Sequence, residues 1–171
     1  MDYSWLLIIS MGVSSVKADL NSHQLSSEPG VFAETSLMYQ TPKSGHTGIR
    51  LTYFSNTLPV RDIFRDRVGN TVNVKEIIIS PYVGGSRSLW SNGRFYLDLG
   101  PQWQLYRQFG LGGRFQYLHK VKLKRGKRFY VGTKLGADYW AFDLLDGYQD
   151  RTDQMGDVAV NGSISVAFPL Q

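Results

Sequence analysis

Three histidines, His23, His46 and His119, are the only imidazoles in a chain of 171 residues that has no cysteine. The missing thiols exclude a disulfide framework and cysteine-based zinc sites, and no spacing of His, Asp and Glu reads as a metal site. Gly110-Leu111-Gly112-Gly113 reads as a turn rather than a phosphate loop, because no Gly-Lys-Ser/Thr follows it. "RDIFRDR" (61–67) and "DGYQDRTD" (146–153) read as solvated charged loops. "HKVKLKRGKR" (119–128) is the densest basic run, and the net charge is +5. Nucleic-acid recognition is excluded as a reading, since no aromatic stacking partners are interleaved through the run. No catalytic, cofactor or metal residue is assigned, and no cofactor is expected. What remains is a set of isolated charges, Glu34, Arg50, Glu76, Asp98, Arg114, Lys134 and Asp138, each at an alternate position of a period-two segment. Charges so spaced do their chemistry on one another, as ion pairs on one face of a sheet.

The segments that carry them alternate nearly everywhere from Val31 onward, with no sustained helical stripe. Seven strands are predicted: 31–40, 47–56, 74–89, 94–108, 113–123, 127–142 and 157–168. They exceed the five or six residues usual in globular strands and suit tilted strands that cross a bilayer. An eighth, needed for an even count, is placed weakly within 20–28. Connections at 41–46, 90–94 and 124–127 are tight, and "FGLGG" (109–113) is a short connection. Those at 57–72 and 143–156 are long. Short turns on one side and long loops on the other are the plan of a transmembrane barrel.

Within each strand one face is apolar. Phe95, Leu97, Leu99, Pro101, Trp103 and Leu105 oppose Tyr96, Asp98, Gly100, Gln102, Gln104 and Tyr106. The second face is poor in the dense mixed charge of a water-exposed surface. It holds Gly, Ser, Gln, Asn and Tyr with the nearly balanced charges named above. Such a set fits the narrow interior of an eight-stranded barrel. Lys134 and Asp138 lie about 13 Å apart along one strand, so each needs a partner elsewhere: a basic residue for Asp138, and Glu76 or Asp98 for Lys134. The apolar face carries Tyr39, Tyr53, Trp103, Phe109, Tyr117, Tyr139 and Phe168, several near strand ends, as interfacial girdles do. The expected fold is therefore all-β, an antiparallel up-and-down transmembrane barrel of eight strands. A soluble exported barrel, with the apolar face lining a ligand cavity, is the alternative.

"WLLIISMGVSSV" (5–16), followed by Val16-Lys17-Ala18, resembles a secretory signal with a cut after Ala18. It lacks the usual basic n-region, having Asp2 instead. On this reading residues 1–18 are a signal peptide and 19–171 the barrel domain.

The pattern resembles the small eight-stranded outer-membrane barrels of Gram-negative bacteria. The resemblance implies an outer-membrane location and contact with membrane lipid, lipopolysaccharide and the barrel-assembly machinery. It implies a monomer with no wide, porin-like pore. In that group the last strand carries an assembly signal, which Asn161, Ser163, Val166 and Phe168 match, with serine at 163 in place of the usual glycine and Pro169-Leu170-Gln171 after the aromatic. Some members modify lipid A, the deacylase type through a His-x-Ser pair. This chain has none, and "YFSN" (53–56) has Tyr53 where the histidine would stand. Strand parity puts His46 in a periplasmic turn, His119 near the periplasmic end of its strand, and the basic run 119–128 where it would meet anionic headgroups. The resemblance thus points to a non-enzymatic barrel with a structural, adhesive or small-solute role through its external loops. A lipid A-modifying enzyme is the alternative on the same scaffold.

Overall fold

The computed structural model describes residues 5–20, 23–62, 67–104, 108–123, 127–143 and 157–170. They form β1 (Trp5–Leu20), β2 (His23–Ser26), β3 (Gly30–Gln40), β4 (Gly45–Asp62), β5 (Arg67–Trp90), β6 (Gly93–Gln104), β7 (Gln108–Lys122), β8 (Arg128–Asp143) and β9 (Asp157–Leu170). All pairings are antiparallel. From β3 to β9 each strand pairs with the next, while β1 pairs with both β3 and β9 and closes the ring. β2 prolongs the β1–β3 hairpin, pairing only with Lys17–Leu20. The architecture is an eight-stranded barrel.

The register fixes its girth. The cross-strand path from Trp5 runs through Tyr39, Thr47, Val83, Leu99, Gly113, Ala137 and Val160, and returns to β1 at Ser15. The ladder therefore closes with a ten-residue stagger. Strands in such a barrel must tilt, by roughly 40°, and the interior is just wide enough to be filled by side chains.

Two features of the wall have local causes. The β5–β6 ladder pairs Ile79 with Trp103 and Val83 with Leu99, but nothing between. Pro81 and Pro101 face each other in that gap. Neither has an N–H, so one rung loses both donors. The ladders to β4 and β7 run through the two prolines unbroken. At the other end, Pro29 interrupts the run from β2 to β3. There Asn56, fully buried, bridges the break. Its Oδ1 accepts from Ser14 Oγ (2.8 Å), and its Nδ2 donates to the Ser14 carbonyl (2.9 Å) and to Ser27 Oγ (3.1 Å).

Several boundaries differ from the sequence reading. The eighth barrel strand is Trp5–Leu20, not a segment within 20–28, where, among the described residues, Leu20 ends β1 and His23–Ser26 form the short β2. The stretch read as a signal is thus a wall strand, and a chain cut after Ala18 would lose nearly all of it. Gly110–Gly113 is not a turn but part of β7; a Cβ on Gly112 would press on Asp138 Oδ1 at 2.5 Å. The expected loop 57–72 is largely strand, with β4 and β5 paired out to Asp62 and Arg67. Of the loop at 143–156, residues 144–156 lie outside the described residues, as do 105–107 near the end of the fourth predicted segment.

Candidate functional site

The interior is stratified. At the end with the tight hairpins, Leu6, Ile8, Met38, Tyr82, Tyr96, Leu118, Tyr130 and Ala167 form one apolar cluster. At the opposite end Val16, Phe54, Ile78 and Ala159 form a second. Between them lie the charges. Glu34 Oε1 accepts from Lys134 Nζ at 2.6 Å, and Glu34 Oε2 from Arg114 Nε at 3.2 Å. Arg114 also donates to both oxygens of Asp138, at 2.5 and 3.0 Å. Asn161 and Gln102 donate to Asp138 as well, the former at 3.2 Å. A separate ion pair joins Arg50 to Asp98, and the Arg50 guanidinium lies 4.3 Å from the ring centroid of Tyr82. Every member of this layer is buried.

Alternation explains the arrangement. Each charge lies at an inward position of its strand, so closing the sheet brings together the polar rows of five strands, β3, β4, β6, β7 and β8. Three cations, Arg50, Arg114 and Lys134, meet three anions, Glu34, Asp98 and Asp138. A buried charge is tolerated only when paired and hydrogen-bonded, and this balance meets that condition.

Of the seven charges singled out from sequence, six lie in this layer. Glu76 is half-buried and forms no ion pair among the described residues. The partner of Lys134 is Glu34, not Glu76 or Asp98. Period two places a residue on a face but not at a height, and the ten-residue stagger moves partners far from their positions in an untilted sheet. Asp138 takes a basic partner, Arg114 of the adjacent strand. Asn161, read as part of an assembly signal, also belongs to the network. Ser163 faces inward beside it, and Val166 and Phe168 face outward.

His46 is not in a turn. It is the second residue of β4 and is buried between Tyr82 and Tyr96, with ring centroids 6.1 and 5.5 Å away. Its Nε2 is 3.9 Å from Asp98 Oδ2, beyond hydrogen-bond range. His119 is exposed near the end of β7, within 3.2 Å of Tyr117 Oη. The side chain of His23 lies outside the described residues. Among the described residues no group of three His, Asp or Glu side chains gathers at metal-ligand spacing. Arg50 Nε and Nη1 and Ser80 Oγ have no partner among the described residues, a detail that no sequence pattern signals.

The outer wall is the inverse of the interior. Its rows, read at every second residue, are 7–15, 31–39, 47–55, 77–85, 95–103, 109–117, 131–139 and 158–168. None contains Asp, Glu, Lys or Arg. Met11, Leu51, Val83, Leu97, Leu135 and Ile164 are each more than half exposed there. Aromatic pairs stand at both margins: Trp5–Tyr39 and Phe95–Tyr117 at the hairpin end, Trp103–Phe109 at the other. Phe95 and Trp103 are eight residues apart on β6, which is about 26 Å along the strand and about 20 Å along an axis tilted by roughly 40°. Beyond the margins the outward residues become Arg87 at one end and Lys17 and Lys75 at the other.

No protein-family model matches the chain, and no curated protein matches it.

Proposed function

We propose that the chain is an integral outer-membrane β-barrel protein without enzymatic activity, whose strands form an inert support for its loops. The observation that carries this reading is the charge-free outer wall, girdled by aromatics, around a closed barrel whose charges between the two girdles point inward. In water such a wall would expose an apolar band far larger than the few hundred Å² common on soluble proteins. In a bilayer it is the surface that lipid requires, and full closure leaves no unpaired edge in the hydrocarbon. The soluble ligand-binding alternative needs the apolar rows inside, and they lie outside. Two apolar clusters flank a charge-balanced ionic layer, and the interior between them is filled by buried side chains, which favours a structural or adhesive role over a wide diffusion pore.

A Gram-negative outer membrane is the natural setting, with Asn161, Ser163, Val166 and Phe168 on β9 as the strand read by the assembly machinery. The barrel then functions as a monomer in contact with lipid and lipopolysaccharide, its longer connections external. Lipid A modification is the second reading; it needs a nucleophile–base pair near the outer leaflet, and the buried His46 lies at the other end. The test is membrane fractionation with a heat-modifiability gel, followed by mass spectrometry of lipid A. Outer-membrane recovery, a heat-dependent mobility shift and unaltered lipid A are expected. Recovery in the soluble periplasm would overturn the membrane reading, and a changed acyl pattern would overturn the non-enzymatic one.

A further inference from the structure

The hairpin end of the barrel is not level. β5–β6 and β7–β8 project past the other strands, and the two hairpins are tied together: Lys120 N donates to the Asn92 carbonyl at 2.7 Å, and Trp90 packs edge-on against Tyr117 at 6.4 Å. This lip bears Arg87, Arg94, Lys120, Lys122, Lys127 and Arg128. From Gly84 to Leu97, and again from Phe115 to Ala137, the sequence contains no Asp or Glu. The cations of the lip thus lie in stretches of sequence without carboxylates. Among them stand Leu89, Trp90 and Leu123, exposed by 50%, 65% and 52%. The opposite end mixes both signs, with Lys17, Glu28, Lys75 and Glu76.

We propose that this lip is a docking surface for the phosphate groups of anionic glycerophospholipids in the leaflet it faces. The inference rests on the membrane reading above. Three features on the lip select that partner. Its charge is of one sign. It lies immediately outside the aromatic margin formed by Phe95 and Tyr117, which is the depth of lipid phosphates. Its cations alternate with large apolar side chains, which insert at the acyl boundary while long basic side chains reach out to the headgroups. A purely aqueous polyanion would satisfy the charges but leave Trp90, Leu89 and Leu123 in water. The lip is at the tight-turn end, which in such barrels is periplasmic, so the lipid is a glycerophospholipid and not lipid A.

The full chain is refolded into phosphatidylcholine vesicles containing a small fraction of brominated lipid, and the quenching of Trp90 is isolated by subtracting the signal of Trp90→Phe. Brominated phosphatidylglycerol is expected to quench Trp90 several-fold more than brominated phosphatidylcholine at the same mole fraction. The preference disappears in Lys120→Gln/Lys122→Gln/Lys127→Gln, and it disappears at about 1 M salt, where the Debye length is about 3 Å. Equal quenching by the two lipids overturns the proposal, as does a stronger response to added lipid A. Trp103, on the outer wall, supplies the separate control. If bulk brominated phosphatidylcholine fails to quench Trp103, the membrane reading itself fails; if it quenches Trp103 while Trp90 shows no headgroup preference, only the lip proposal does.

Discussion

Glu34 and Lys134 are one hundred residues apart in the chain and 2.6 Å apart inside the barrel. Their bond spans the lumen from β3 to β8, and through Arg114 it is joined to Asp138. Removing one member strands a charge in a buried interior, which typically costs about 3–5 kcal/mol. Glu34→Gln and Lys134→Met should each destabilise the folded barrel on that scale. The double variant should cost clearly less than the sum, because neither charge is then left alone. Urea unfolding from lipid vesicles measures this, and additive losses would mean the two charges are not coupled.

Asn56 offers a neutral counterpart. Its amide ties β4 to β1 and to Ser27, just after β2, where Pro29 prevents a continuous ladder. Asn56→Ala leaves buried Ser14 and Ser27 groups without that partner, at about 1–3 kcal/mol for each group not rescued by water. The variant should unfold at lower urea, and its amide exchange should rise first in β1 and β2. A loss spread evenly over all strands would count against a local clamp.

The facing prolines make the opposite prediction. Pro81→Val together with Pro101→Val supplies two N–H donors to the empty rung. If the wall faces lipid, no water competes there, and the regained bonds outweigh the entropy given up by losing proline. A net gain of about 1–2 kcal/mol is expected, with each single variant giving less than half of it. Unchanged or faster unfolding of the double variant would show that the gap relieves strain.

Depth along the outer wall is testable by charge. Leu135, 62% exposed, stands midway between the two aromatic margins, whereas Val158 stands at the loop-end margin. If the wall faces lipid, Leu135→Arg costs about 2–4 kcal/mol and Val158→Arg about 0–1. Equal, small costs would be the signature of a wall in water.

The faces of these strands were legible because period two survives any tilt: Leu135 and Ile164 read as outward and Lys134 and Asp138 as inward without knowledge of the barrel. The partners were not legible, since they depend on a stagger that only closure fixes. The boundaries failed where two signals coincided. Gly110–Gly113 looks like a turn because glycine serves turns and tight lumens alike, and here the crowding comes from Asp138 and Gln102. Residues 57–72 look like a loop because their charges break the alternation, although the backbone ladder continues.

The most consequential ambiguity was β1, and it yields the last prediction. Trp5 to Ile9 is an unbroken apolar run, the pattern of a signal. It is apolar on both faces because the interior at that level is itself apolar: Leu6 and Ile8 enter the cluster with Met38 and Tyr82, while Trp5 and Ile9 face outward. Further along, the alternation returns, with Ser10, Gly12 and Ser14 inward and Met11 and Val13 outward. The inward residues fit the seam. Ser10 Oγ and Ser165 Oγ are 2.9 Å apart, and a Cβ on Gly12 would collide with Ser163 Cβ at 2.7 Å. β1 supplies both ladders that close the ring, so a cut after Ala18 and this barrel exclude each other. A chain beginning at Asp19 should leave the edges of β3 and β9 unpaired, fail to show a heat-dependent mobility shift, and associate through those edges. The full chain should give a folded monomer whose mass includes residues 5–18. A folded, membrane-resident protein with Asp19 at its N-terminus would require a different eighth strand, and would refute the closure described for Trp5–Leu20.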